Sequence, residues 1–556
     1  MSSQAQTGSP DVRATPDPSP SPSGTGAETA GDWQVTAAFW IFVAVCFVMF
    51  VFYAYVGRHI WFSVGAAGDE WDFLAKRHLS IHDLLEQHGG HFVALPLIVY
   101  RAMFNIFGLR SYRPYQFLVL GLHITAGCQL RALMRRRKVD PWIATAAASL
   151  FICFGSAGQD ILWAFQIAFT GALVFGLAEL LCLDHDGEID RRDWFALAFG
   201  FAAVTCSGVG VAMVAVAGVA TGIRRGWRIA AFHILPLAAV YAAWASHYGN
   251  SIITKDKVEI LQWVWHGVWS VFAQLGQLPV LGFVFAAVLV GGLVLGWRSR
   301  SGVERREWVA LPVGMLAGAI GFLALTGITR AWTGAQFASS SRYMHVVAAL
   351  VLVPLAMAIN EIVRHAIGRN RYVIVGVAVV LLVVGIPSNL SKTLDSFPTT
   401  AFFKNYQQMM LSVPRMPIAR EVPPGLRPDP NQAPQVTMRW LLQGVDEGWL
   451  PSPGPSTPQM TATNTLRLSL QEIDDNPKRS CPPLGKRTVI HLARGQSLVL
   501  HGSFFVQLLP PTTPVVSALV TFGATFFGPL GDRTVKAVVQ PLSLRFIPRT
   551  PAASAC

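Results

Sequence analysis

The chain has little charge. Of its 556 residues only 13% are Asp, Glu, Lys or Arg, about half the share of a soluble domain, so a wholly soluble enzyme is excluded. A hydrophobic fraction of 52% equally excludes a disordered or collagen-like chain. The N-terminus lacks the short basic start and small-residue cleavage site of a secretory leader, so the first apolar run is expected to stay attached. Cysteine is sparse, with seven in all. Cys46, Cys128, Cys153, Cys182 and Cys206 fall in apolar stretches and read as small buried residues. Cys481 and Cys556, in the polar C-terminal part, are then the one candidate disulfide pair. There is no Walker loop, dinucleotide fingerprint or Ser-His-Asp nucleophile motif, so no nucleotide cofactor is expected.

What is present is mostly apolar. Residues 1–32, rich in Ser, Pro, Thr and Gly, read as a disordered N-terminus. Runs long enough to cross a bilayer, about 20 residues, follow near 33–56, 114–134, 140–156, 160–183, 227–246, 270–297, 307–328, 342–363 and 372–388. The stretch 194–222 is broken at Ser207-Gly208 and reads as two short helices in a hairpin. The expectation over 33–388 is a mainly α, polytopic membrane helical bundle of about 11 spans, with an amphipathic loop at 57–113.

Lys and Arg exceed Asp and Glu by 44 − 31 = 13. Much of the excess lies in alternate loops, at Arg135-Arg136-Arg137-Lys138, Arg224-Arg225 with Arg228, Arg298 to Arg306, and Arg364 to Arg371. The positive-inside rule places these loops and the N-terminus in the cytoplasm of a plasma (inner) membrane protein. So located, the charge sets topology and gives no argument for nucleic acid. One loop disagrees: 184–193 (DHDGEIDRRD) is net negative yet falls on the same side.

From Asn389 the apolar runs stop. Residues 389–460 carry many prolines and read as a linker or irregular wrap. Over 461–556, short alternating segments at Arg487–Leu492, Gln496–Leu500, Phe504–Leu509, Val515–Phe522 and Val535–Phe546 are separated by Gly, Pro and Asp turns. That pattern predicts an extracytoplasmic β-sandwich-like domain. An oxidising exterior would allow Cys481 and Cys556 to tie its tail to its entry strand.

Four constellations carry candidate chemistry. Gly68-Asp69-Glu70-Trp71-Asp72 sets three carboxylates in four residues beside aromatics at a membrane surface, where charge is costly unless it is used; a solvated helix start explains the same residues. Glu86, His88 and His91 offer metal ligands or acid–base groups within six residues, without the spacing of a known zinc motif. Asp160 follows a small-residue turn between two spans and is a helix N-cap or a second site carboxylate, with Gln166 deeper in the same wall. Arg342-Tyr343 opens a late span, with Arg330 and Trp332 in the loop before it. Such an arginine snorkels to lipid phosphate or clamps the phosphate of a lipid-linked substrate.

Together these features resemble the GT-C superfamily of integral-membrane glycosyltransferases, which includes protein O-mannosyltransferases, aminoarabinose transferases and mycobacterial arabinofuranosyltransferases. The resemblance rests on Asp69-Glu70 opening the first outer loop, on His88, His91 and Pro96, on Asp160, and on Arg342-Tyr343, and it covers about 33–388. The family's His-Pro-Pro-Leu-like segment is here His91-Phe92-Val93-Ala94-Leu95-Pro96. The resemblance implies a polyprenyl-phosphate-linked sugar as donor and an envelope glycan or other extracytoplasmic acceptor, in cell wall biogenesis. It implies Asp69 as general base, Glu70 and Asp160 orienting the acceptor or sharing a divalent metal ion, and Arg342, Tyr343 and Arg330 holding the lipid phosphate. The β-rich tail would be a carbohydrate-binding module. A lipid-sugar flippase or a non-catalytic envelope scaffold are the alternatives; a transporter would show internal repeats and charges at mid-bilayer, neither of which is seen.

Overall fold

The computed structural model describes residues 25–62, 69–249, 253–366, 370–396, 400–430, 432–474, 480–483, 485, 488–501, 504–509, 519–522, 533–548 and 553–556. The N-terminal stretch read as disordered lies, over 1–24, outside the described residues; the first helix already begins at Thr25.

Among the described residues ten helices are long and apolar enough to cross a membrane: Trp33–His59, Arg113–Arg136, Pro141–Leu162, Ala164–Leu183, Gly208–Arg225, Trp227–Tyr248, Pro279–Arg298, Gly302–Thr333, Ser341–Arg364 and Asn370–Leu394. The chain is thus a polytopic helical membrane protein with a small C-terminal β region. The broken stretch 194–222 does form two helices, Arg191–Val204 and Gly208–Arg225. The first is opened by a capping box between Asp190 and Asp193, and the second by the Ser207 side chain accepting from the Val209 N–H. Arg191–Val204 has 14 residues, about 21 Å at 1.5 Å per residue, and falls short of the usual spanning length.

The run expected at 270–297 is two helices, Lys257–Gly276 and Pro279–Arg298. Apolar composition alone hid the break. Asp256 caps the first helix on the Val258 N–H, Gln277 ends it in the left-handed conformation at φ 59°, and Pro279 occupies the first turn of the next.

Ser341–Arg364 is the axis of the bundle. In its most apolar window 94% of residues are buried, against 22% for Trp33–His59. It packs on Pro279–Arg298, Gly302–Arg330 and Pro141–Ile152. Gly292 permits the closest approach, since a Cβ there would fall 2.4 Å from the Ala358 carbonyl oxygen. On the outside of its own helix Cys128 is exposed, unlike the buried Cys153 and Cys206.

The basic loops gather at one end, and the discordant acidic loop is there with them. Asp184 accepts from both Arg137 and Arg224, Asp186 pairs with Arg224 at 2.7 Å, and Asp193 pairs with Arg225 at 2.6 Å. Arg300 pairs with Glu361 at 2.8 Å in the same region. Loop 184–193 is net negative because it neutralises arginines of its neighbours.

At the other end lie the loop after the first helix and the breaks in the bundle near 153–166, 205–208, 331–341 and 385–396. Residues 400–450 are packed against this end. Val413, Met438 and Leu441 join the main core, and Trp440 lies 6.1 Å from both Trp71 and Phe104, centroid to centroid.

Beyond Pro458–Ser469 two four-stranded sheets form. Their strands are β1 Leu470–Asp474, β2 Thr488–Leu492, β3 Ser497–His501, β4 Phe504–Leu509, β5 Leu519–Phe522, β6 Arg533–Ala537, β7 Leu542–Pro548 and β8 Ser554–Ala555. The orders are β1-β6-β3-β8 and β2-β7-β4-β5, antiparallel throughout. Leu498, Leu500 and Val535 of one sheet and Leu492, Leu544 and Phe546 of the other share one core. The single strand expected at Val535–Phe546 is two, turned at Gln540-Pro541, where proline removes a ladder donor. Arg487 and Val515, expected in strands, lie outside the described residues. A disulfide joins Cys481 to Cys556 with Cα atoms 5.4 Å apart, and Pro483 pairs with Ser554 beside it.

Candidate functional site

The acidic motif opens a short helical stretch, Asp69–Trp71, which continues as a wider turn over Asp72–Lys76. Successive side chains therefore point different ways. Glu70 is buried and accepts from the hydroxyls of Tyr100 at 3.0 Å and Tyr112 at 2.8 Å. Tyr112 in turn accepts from the Ala164 N–H at 2.9 Å. Glu70 thus pins the motif to Ala94–Phe107 and to the 153–166 break. Asp69 faces out and retains 28% side-chain exposure, whereas Asp72 retains 6%.

His88 bridges the two aspartates, with Nδ1 2.8 Å from Asp72 and Nε2 3.2 Å from Asp69. Burial opposes its charging, but the hydrogen bonds and charges of Asp69 and Asp72 prevail and raise its pKa above the ordinary histidine value. Burial likewise pushes Asp72 upward, and the bond from His88 with the charges of Arg77 and Lys76 brings it below the usual carboxylate range. The imidazole is thus held between two carboxylates, an arrangement that favours its charged form.

Arg77 fixes the neighbouring loop. Its guanidinium meets Asp72 at 2.7 Å and donates to the carbonyls of Glu86 at 2.7 Å and Gln87 at 2.8 Å. His88 and His91 then exchange backbone hydrogen bonds of 3.0 and 2.9 Å around Gly89 and Gly90, at φ 58° and 86°. A two-residue turn with both central residues at positive φ selects glycine. The turn orients both imidazoles. His91 is packed on Phe169, and its Nδ1 accepts from the Gly208 N–H at 3.4 Å. Burial, with the charges of Arg330, Arg342 and His88, lowers its pKa to about 4, so it is neutral.

Arg330 donates to the Gly89 carbonyl at 2.9 Å. Arg342 is exposed, with its guanidinium over the Tyr343 ring, and makes no hydrogen bond or ion pair among the described residues. Tyr343 is buried against Trp263 and Phe322. Two cations therefore adjoin the histidine turn, and one of them is unengaged.

Asp160 sits apart from this surface group. It is fully buried and hydrogen-bonded to His345 Nδ1, and His345 Nε2 lies 3.0 Å from His123 Nδ1. His123 Nε2 must carry hydrogen, because its partner at 3.1 Å is the Ile152 carbonyl. If His123 is neutral, its Nδ1 accepts and His345 Nε2 donates. One further proton then sits between His345 and Asp160. Arg342 is within electrostatic reach of both Asp160 and His91. The small residues before Asp160 have a packing cause: a Cβ on Gly155 would lie 1.5 Å from the Asn389 carbonyl.

Asp69, His88, His91, Arg330 and Arg342 are thus brought to one neighbourhood. Glu70 and Asp160 are turned into the interior, and Gln166 is buried in the 164–166 turn. Glu86 points away from both histidines, to Lys76 at 3.0 Å. Its ligand atoms group instead with those of His82 and Asp83, and His185, Asp190 and Asp193 form a second such group at the basic end. Glu70 is held by two tyrosines and Asp160 by His345. Asp72 was legible as the third carboxylate of the motif, whereas Arg77, His123 and His345 were missed from sequence. A histidine inside a spanning segment was the available signal for the last two.

No protein-family model and no curated protein matches the chain. Among solved structures it is similar to ArnT from Cupriavidus metallidurans bound to undecaprenyl phosphate, at 13% identity and TM-score 0.40, covering 75% of this chain and 90% of that one. The apo state of the same protein gives 11% identity, TM-score 0.41 and coverages of 75% and 89%. The Archaeoglobus fulgidus oligosaccharyltransferase tethered with an acceptor peptide gives 14% identity, TM-score 0.41 and coverages of 75% and 60%.

Proposed function

We propose that the chain is a GT-C-type glycosyltransferase that moves a sugar from a polyprenyl-phosphate donor to an envelope acceptor, with Asp69 as general base. The observation that carries this reading is the pairing of a partly exposed carboxylate, Asp69, oriented by His88, with the adjoining cations Arg330 and Arg342. The acceptor hydroxyl oxygen attacks the anomeric carbon as its proton passes to Asp69. The bond from that carbon to phosphate oxygen breaks, its electron pair stays on phosphate, and polyprenyl phosphate leaves. Arg342, with Arg330, neutralises the leaving group, and direct displacement inverts the anomeric centre. Glu70 and Asp160 support the site from within, Glu70 through the tyrosines and Asp160 through His345.

In this reading the basic end is cytoplasmic, as the positive-inside rule requires, and the site and β-domain are extracytoplasmic. The membrane is the plasma (inner) membrane, and the β-domain is a carbohydrate-binding module. The test is transfer from a panel of polyprenyl-phosphate sugars by purified Asp69→Asn. Loss of transfer with unchanged elution and helicity is expected; near-normal transfer overturns the assignment.

A further inference from the structure

At the basic end, away from the site above, the structure contains a cavity of about 490 Å³ lined by Arg136, Arg137, Arg192, Arg224, Asp184, Leu181 and Cys182. Four guanidiniums face it and one carboxylate. Asp184 is used up between Arg137 and Arg224, and Asp186 and Asp190 engage the outer sides of Arg224 and Arg192. Arg136 donates to the Leu181 carbonyl and to no carboxylate among the described residues. The Nε of Arg137 is buried with no hydrogen-bond partner.

Four arginines against three carboxylates leave a net positive charge, with Arg136 the guanidinium unpaired among the described residues, so an anion entering the open volume is favoured. Guanidinium groups in a fork suit the tetrahedral oxygens of phosphate. Residues close in sequence to two of the lining arginines say which kind of phosphate. Trp194 and Phe195, on the helix that begins beside Arg192, are 61% and 62% exposed, and Trp227, three residues after Arg224, is 74% exposed. Exposed tryptophan beside arginine marks the headgroup level of a bilayer. Leu181 and Cys182 supply an apolar wall on the bundle side.

We propose that this cavity binds the phosphate of an anionic phospholipid headgroup, as a lipid site separate from donor binding and independent of the transferase reading. The test uses the delipidated full chain in neutral detergent, titrated with phosphatidylglycerol or phosphatidylcholine and read by native mass spectrometry. The pair Arg136→Gln and Arg192→Gln is suited to it, since both side chains lie toward solvent. Phosphatidylglycerol should be retained over phosphatidylcholine. Each substitution should weaken it roughly five-fold and the double variant roughly thirty-fold, while Arg306→Gln at the same end leaves it unchanged. Equal retention by the double variant and the unaltered chain overturns the site. Displacement of the lipid by millimolar inorganic phosphate overturns the lipid source and leaves a soluble phosphate as the occupant.

Discussion

Arg77→Met is the sharpest probe of how the candidate site is held. The guanidinium is 2% exposed and Asp72 6%, so the 2.7 Å pair is buried. Removing one partner of a buried pair costs about 3–5 kcal/mol, and because Asp72 keeps His88 at 2.8 Å and Lys76 at 3.7 Å the lower end applies. The carbonyls of Glu86 and Gln87 lose their donor as well, but at a surface loop they recover water. Taking the lower figure, opening of residues 77–91 becomes roughly a hundred-fold easier, since each 1.4 kcal/mol is about tenfold. The assay is amide hydrogen exchange on the full chain in detergent, comparing that segment with the axis helix Ser341–Arg364 as an internal reference. Faster exchange confined to the loop, with Arg77→Lys intermediate because it keeps the charge without the fork, is expected. Unchanged protection in Arg77→Met would refute the reasoning, and equal loss in the axis helix would mean that the pair supports the whole bundle.

Further outcomes follow from the same geometry. His88 is raised in the folded state, so its contribution is complete below its ordinary value of 6.5 and is lost as pH climbs through the raised one. Asp72 is depressed, so its contribution is complete above 3.8 and is lost as pH falls through the lower value. After correction for intrinsic exchange, protection of 69–91 should therefore fall on the alkaline side, and His88→Gln should abolish that fall; a profile identical in both proteins contradicts it. Asp160→Asn keeps a donor for His345 Nδ1 and should be tolerated in thermal unfolding, whereas Asp160→Leu leaves a buried nitrogen without a partner at about 1–3 kcal/mol; equal melting of the two variants rejects the proton assignment. Reducing the Cys481–Cys556 bridge, which closes a separation of 75 residues, should destabilise the β-domain by about 4 kcal/mol in the chain-entropy model; proteolysis with and without reductant reads this, and identical cleavage would show that the bridge adds nothing.

The sequence made the spans legible because apolar length is a one-dimensional property. It also made the Ser207-Gly208 break legible, because a cap leaves a local signature. The break at Gln277 was hidden, since a left-handed residue between two apolar runs changes no average. At the site, residue types were readable but directions were not. Asp69 and Glu70 are adjacent in the chain, yet one faces solvent and the other two tyrosines, a distinction made by helices at 94–107 and 113–136. Asp160, His345 and His123 meet across separations of 185 and 222 residues, which no local pattern encodes.

The axis of the bundle has a consequence for how the protein is made. Ser341–Arg364, the most enclosed of the candidate spans, is encoded after eight of the other nine. During synthesis the earlier helices enter the bilayer before their common centre exists, and faces such as Gly292, shaped to fit Ala358, meet lipid in the meantime. A ribosome stalled before residue 341 would leave a set of staves without a hub. Surveillance proteases acting on membrane proteins should recognise such a product more readily than one truncated after residue 364.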